Sequence, residues 1–239
     1  MEAAEFYTGI VPDVYRALRA SHFSADRYRA FIEEHGQPAL ELGCGDDGPF
    51  FELAVAGYEL VGVDSSTDMV DRGLERLRRD GVTAQIHHQR MERLELGMTF
   101  GSIYLAGPTF NLLPDDESAL DALRAIARHL REDGAALVPL WSPTPTPPER
   151  IGVTSVSASA TARAKYTVIG ETYDLAQRTR TTQVRYELVT DHESQTADRE
   201  WIIHWFSDDV FRGLAAIAGL RVEFTNRSDD QVDAVLRLA

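Results

Sequence analysis

The residue types in one short stretch set the chemical expectations for this chain. Glu41-Leu42-Gly43-Cys44-Gly45-Asp46-Asp47-Gly48 interleaves glycines with acids, and Asp64 follows the next apolar run, Leu60, Val61 and Val63. Glycines in such a turn let the backbone bend tightly and approach a ligand with no Cβ in the way. An acid closing the following strand can accept both hydroxyls of a ribose, so the pattern predicts a ligand that carries an adenosine. Gly43, Gly45 and Gly48 also fit G-x-G-x-x-G, the pattern of a nicotinamide-dependent oxidoreductase. Asp46 and Asp47 oppose that alternative, because they lie where a helix begins and would repel a pyrophosphate there.

The run E-L-G-C-G followed by V-G-V-D-S-S-x-x-M resembles the class I S-adenosylmethionine-dependent methyltransferases. The resemblance covers roughly residues 37–140 and 207–239. It implies S-adenosyl-L-methionine as cofactor and S-adenosyl-L-homocysteine as product. It assigns the methionine part of the cofactor to the turn of Glu41, Gly43, Cys44 and Gly45, and the ribose to Asp64 and Ser65. Met69 is then expected against the adenine. The family's acid near the adenine amino group is replaced by Arg90, so backbone groups around Met91 are the alternative contact. Tyr15 and Ala106 complete the expected cofactor set. Cys44 reads as a small packing residue of the turn, not a nucleophile.

The expected reaction is transfer of a methyl group to a small organic acceptor, as an O- or N-methyltransferase in biosynthetic tailoring. A non-catalytic cofactor-binding protein is the other alternative, because cofactor and acceptor sites are separable. The loop after the fourth strand should border the transferable methyl group, so Thr109 and Asn111 are expected acceptor contacts. Trp141 and Trp205 join them as aromatic acceptor contacts. Tyr7 and His204 are the candidate catalytic residues: an N-terminal segment with tyrosines forms a lid in related enzymes, and a histidine's ordinary pKa lies near neutral. A base is needed only where the acceptor arrives protonated.

The elements that must position these residues follow from period and punctuation. Apolar runs near 39–42, 60–64, 82–88, 101–106 and 135–141 read as strands, and the intervening segments read as helices. Ser24 suits an N-cap, Ser65-Ser66-Thr67-Asp68 offer capping side chains for a helix through about Asp80, and Gly81 suits a C-cap. Asp115–Glu117 and Arg128–Arg131 bracket a helix ended by Gly134, with His129 as a charge partner at its end. The proline-rich stretch after Trp141 marks a change of composition. Residues 164–206 then alternate as three strands, bringing Trp201, Ile203 and Trp205 to one face and Ile202, His204 and Phe206 to the other. A helix from Ser207 and strands at 220–226 and 231–238 close the chain. The expected fold is α/β: a seven-stranded Rossmann-like sheet flanked by helices, with an N-terminal helical lid (1–36) and an inserted antiparallel β cap (146–206) between 37–145 and 207–239.

Composition bounds the partners. The chain has 239 residues, 44% of them hydrophobic, and a net charge of −14. An acidic chain without a basic stretch is poorly suited to nucleic acid or anionic membrane. There is one cysteine and no basic-then-apolar N-terminal signal, which fits a cytoplasmic protein. No run approaches the about 18 apolar residues of a membrane span. No cluster has metal-ligand spacing, so a metal-independent enzyme is expected. Monomer and homodimer both remain open.

Overall fold

The computed structural model describes residues 6–18, 24–158 and 162–239. Five parallel strands lie side by side, β1 (Ala39–Leu42), β2 (Leu60–Asp64), β3 (Gln85–His88), β4 (Phe100–Tyr104) and β5 (Leu130–Trp141). The last two strands, β10 (Leu220–Thr225) and β11 (Gln231–Leu238), extend the sheet beyond β5, with β11 antiparallel to both neighbours. The spatial order β10-β11-β5-β4-β1-β2-β3 changes direction at β1, between β4 and β2. In a sheet of this kind the crevice beyond the carboxyl ends at that reversal is where ligands bind.

Helices cover both faces. Helices α2 (Ala25–His35), α3 (Pro49–Val55) and α4 (Thr67–Asp80) enclose a core of Tyr28, Phe50, Phe51 and Leu53. Helices α5 (Asp116–His129) and α6 (Asp208–Ile217) enclose the other core, with Phe110, Leu123, Ile126 and Phe211. Side-chain caps at Ser24, Ser66, Asp115 and Ser207 accept from backbone N–H groups of the first turn, which satisfies donors the helix itself leaves unpaired.

A second, four-stranded antiparallel sheet, ordered β6-β7-β8-β9, forms the cap: β6 (Thr154–Ala158), β7 (Ala162–Asp174), β8 (Thr179–Thr190) and β9 (Ser194–His204). It has one strand more than the period predicts, because β6 emerges directly from the proline-rich segment. Helix α1 (Val11–Leu18) lies against this sheet, with Phe6, Val11 and Val14 packed on Ala164, Val184 and Tyr186.

Three local expectations change. Of the expected lid, residues 1–5 and 19–23 lie outside the described residues and 6–18 hold the helix that sits on the cap, whereas α2 packs into the Rossmann-like body beside α3 and β4. Gly134 does not end α5. It lies inside β5, where a Cβ would stand 2.7 Å from the Gly101 carbonyl oxygen. His129 is no charge partner either: its Nδ1 donates to the Ala125 carbonyl at 2.7 Å and its Nε2 accepts from the Leu96 N–H at 3.1 Å. That pattern requires one neutral tautomer.

Candidate active site

The glycine turn is built by β1 and β2 together. Gly43 and Gly45 hold φ of +75° and +58°, a region that disfavours side chains. At Gly43 a Cβ would also stand 2.6 Å from Thr109 Cγ2. The N–H groups of Gly43 and Cys44 both donate to the Val63 carbonyl, at 2.7 and 3.1 Å. Asp64 finishes the fastening, accepting from the Gly45 N–H on one oxygen and the Ser66 N–H on the other, both at 2.9 Å. Burial pushes the Asp64 carboxyl up, and these two N–H groups draw it back. Each of its oxygens retains a second lone pair for a hydroxyl.

Beyond this turn lies a cavity of about 610 Å³. Glu41, Gly43, Cys44, Gly45, Asp64, Ser65 and Met69 form one end of its wall. Arg90, Met91, Ala106 and Thr109 extend it, and the lid tyrosines Tyr7 and Tyr15 close over it with rings 5.6 Å apart. Glu41 is fully buried and neither of its oxygens has a hydrogen-bond partner. Burial pushes its carboxyl up to about 8, which the nearby Tyr104 hydroxyl and Phe50 N–H offset only in part. Burial likewise raises the Cys44 thiol, so it is held as a neutral thiol. Arg90 donates through Nε to Glu92, which also lines the cavity.

Four expected acceptor-side residues lie outside that wall. Asn111 is fully buried: its Nδ2 donates to the carbonyls of Trp141 and His204, at 2.9 and 2.7 Å, and its Oδ1 accepts from the Trp141 N–H. Trp141 donates through Nε1 to Asp230, with the Arg180 guanidinium 4.6 Å from its ring. Trp205 stacks on Tyr173 at 4.8 Å. His204 is 2% exposed, with Nε2 3.5 Å from Asp116. Burial holds the His204 imidazole below its ordinary value, and Asp116 offsets only part of this. A neutral, enclosed ring off the cavity wall is not placed to take a proton from an acceptor.

The cap instead contributes Glu200, Trp201 and Ile202, three consecutive residues of β9. Strand β9 is an edge of the cap sheet. Trp201 and Ile202 both line the cavity, although two-residue alternation sorts them onto opposite faces. Phe6 (its ring 6.2 Å from Trp201), Arg16, Glu92 and Leu113 are among the other lining residues that sequence patterns did not single out.

The two acids beside the glycines also have a different role from the one expected. Asp46 pairs with Arg16 of the lid, and Asp47 with Arg76 at 3.0 Å. Their charge is therefore compensated within the protein, and the repulsion argument against a pyrophosphate loses most of its force. The choice of cofactor class rests on the fold and on similarity to known proteins.

Residues 39–134 match the family described as "Methyltransferase domain". A Streptomyces protein named cypemycin N-terminal methyltransferase is 34% identical over 118 residues, which are 48% of this chain and 47% of that protein. The chain spans about half the length of the curated relatives it matches. Over the whole fold, the structure of an S-adenosylmethionine-dependent methyltransferase from Clostridium acetobutylicum superimposes with a TM-score of 0.76 at 14% identity, covering 96% of each chain. The sugar N-methyltransferase KedS8 from Streptoalloteichus gives 0.74 at 19% identity, over 96% of this chain and 94% of that one. Among the described residues no group of three His, Cys, Asp or Glu is arranged to hold a metal ion, and no helix is long and apolar enough to cross a membrane. The chain thus has the Rossmann-like fold with a separate antiparallel sheet, and its residues 39–134 match a methyltransferase domain.

Proposed function

We propose that the chain is an S-adenosylmethionine-dependent methyltransferase whose acceptor is a small molecule presenting an amine. The observation that carries this reading is one cavity that runs from the glycine turn and Asp64 to the cap residues Trp201 and Ile202. It offers the cofactor and an acceptor a common space. The names of two similar proteins, an N-terminal methyltransferase and a sugar N-methyltransferase, favour nitrogen as the acceptor atom.

The residues present fit the cofactor. The unpartnered Glu41 carboxyl suits an ammonium, Asp64 keeps lone pairs for ribose hydroxyls, and Met69 and Met91 offer apolar surface to adenine. When bound, the cofactor supplies a methyl group already activated on a sulfonium sulfur, which an amine lone pair can take with loss of one proton to water. The chain's task is positioning and exclusion of water. Orientation alone is worth about 7–11 kcal/mol in well-aligned reactions. Thr109, backed against Gly43, brings the loop after β4 to the glycine turn. Tyr7 and Tyr15 cover the same space from the lid, and Tyr7 is the catalytic candidate that borders the cavity. A cytoplasmic setting and an acceptor other than nucleic acid belong to the same proposal, consistent with one buried cysteine and a net charge of −14.

Calorimetric titration with S-adenosylmethionine, S-adenosylhomocysteine and NAD tests the cofactor, with Asp64→Ala as control. We expect the two sulfur nucleosides to bind and NAD not to. In the variant, affinity should fall by roughly tenfold or more, as two N–H contacts and the ribose acceptor are lost. Mass spectrometry of matched amines and alcohols then reads the acceptor atom. Gain of a methyl mass on alcohols alone would refute the amine assignment.

A further inference from the structure

The lid is held on its two sides by different physics. Towards the cap it buries Phe6, Ile10, Val11 and Val14 in a shared apolar cluster, and Arg199 of β9 donates to the Phe6 and Thr8 carbonyls. Towards the cofactor half it is held by polar contacts. The Ser66 hydroxyl donates to the Tyr7 carbonyl at 2.8 Å, and the Gly9 N–H donates to Asp68 at 2.8 Å. Arg16 pairs with Asp46 of the glycine loop. Arg72 of α4 grips Asp13 of α1 with both terminal nitrogens, NH1 to Oδ1 at 2.6 Å and NH2 to Oδ2 at 3.0 Å, and NH2 also reaches the Gly9 carbonyl at 3.4 Å.

Apolar burial is insensitive to dilute salt, whereas charge pairs at a surface are screened by it. The lid therefore separates more readily from the cofactor half than from the cap. Between Gly9 and Asp13 on one side and Arg72 on the other, the chain is closed by a two-pronged contact beside Tyr7 and Tyr15, which cover the cavity. Arg72 itself does not line that cavity.

We infer that Arg72 is a positioning residue that latches the lid, through Asp13, over the bound cofactor. Arg72 then governs how long the cofactor stays rather than touching it. The latch is ionic, so salt opens it. The inference rests on the cofactor reading above.

The test is the dissociation rate of S-adenosylhomocysteine, followed by stopped-flow displacement at low salt and at about 0.5 M salt, where the screening length falls to roughly 4 Å. The wild-type rate should rise roughly three- to tenfold with salt, the range expected when a half-exposed, bidentate pair is lost. Arg72→Gln and Asp13→Asn should each show the fast rate already at low salt, with a weakened salt response. The double variant should be no faster than either single one. Arg72→Lys should recover part of the slow rate. A general loss of structure would instead lower the melting temperature and leave the wild-type salt response in place. Arg72→Gln with a wild-type rate and salt response would overturn the latch. Failure of the wild type to bind S-adenosylhomocysteine would overturn the cofactor reading, and the latch with it.

Discussion

A buried carboxyl group favours its protonated form, and Glu41 is in that position. Its folded value of about 8 stands above the ordinary 4.5. Between those values the folded chain holds a proton that the unfolded chain releases, so this group's contribution to stability is lost as pH rises from 4.5 towards 8. Glu41→Gln removes the penalty, and the variant should melt higher than wild type at pH 8 and differ little at pH 4.5. Binding runs the other way. An ammonium beside Glu41 favours the ionised carboxylate, so below that pH cofactor binding expels a proton. Calorimetry in buffers of different ionisation enthalpy should register that release for wild type and not for Glu41→Gln. An identical buffer dependence in the two proteins would refute this assignment. At this scale the sequence was readable where a residue's task is set by its immediate neighbours. Gly43 and Gly45 follow the end of β1 with the positive φ that favours glycine, and Asp64 ends β2 beside them. Asn111 and His204 were not readable, because what surrounds them comes from 30 to 93 residues away.

Among elements, the segment Thr109–Leu112 has the most consequential attachment. Asn111 within it donates to two carbonyls and accepts from one N–H. Asn111→Asp keeps the shape but presents oxygen to the Trp141 and His204 carbonyls in a buried place. We expect a loss of about 2–4 kcal/mol, as for a buried polar group whose partners are left unsatisfied. Denaturant melts at neutral pH measure it, and a loss below about 0.5 kcal/mol, the size of an ordinary surface change, would show that the knot is replaceable. Strand positions in the Rossmann-like half follow the apolar runs, because each run is buried on both sides. The cap was harder. Two-residue alternation gave β7, β8 and β9 but not β6. It also sorted Trp201 and Ile202 onto opposite faces, although both line the cavity.

For the whole molecule, charge acts in two opposite senses. A net charge of −14 makes the compact state repel itself, and added salt screens that repulsion. The melting temperature should therefore rise as salt is added from about 10 to about 200 mM, over which the screening length shortens from roughly 30 to under 10 Å. The ionic latch of the lid weakens over the same range. Salt should thus make the protein harder to unfold and quicker to exchange cofactor, two effects that share no sign. A melting temperature that falls with salt would show that the paired charges outweigh the excess ones. The three cores, one on each side of the main sheet and one between lid and cap, were foreseeable only as fold class. The Asp13–Arg72 contact joins residues 59 apart, with no short-range pattern to announce it.

The clasp at Asn111 bears on how such a chain can diversify. The cap leaves the main sheet after Trp141 and returns at His204, and one amide nitrogen bonds the carbonyls of both residues. Entry and exit therefore lie side by side, as the two ends of an Ω-shaped excursion do. What hangs between them can be lengthened, shortened or exchanged with little added closure entropy and without moving β5 or α6. The cap is in this sense a cassette whose two ends share one socket, and the lid that packs on it belongs to the same cassette. New acceptor preferences can be grafted by transplanting residues 142–203 together with the lid while the socket amide at 111 is kept.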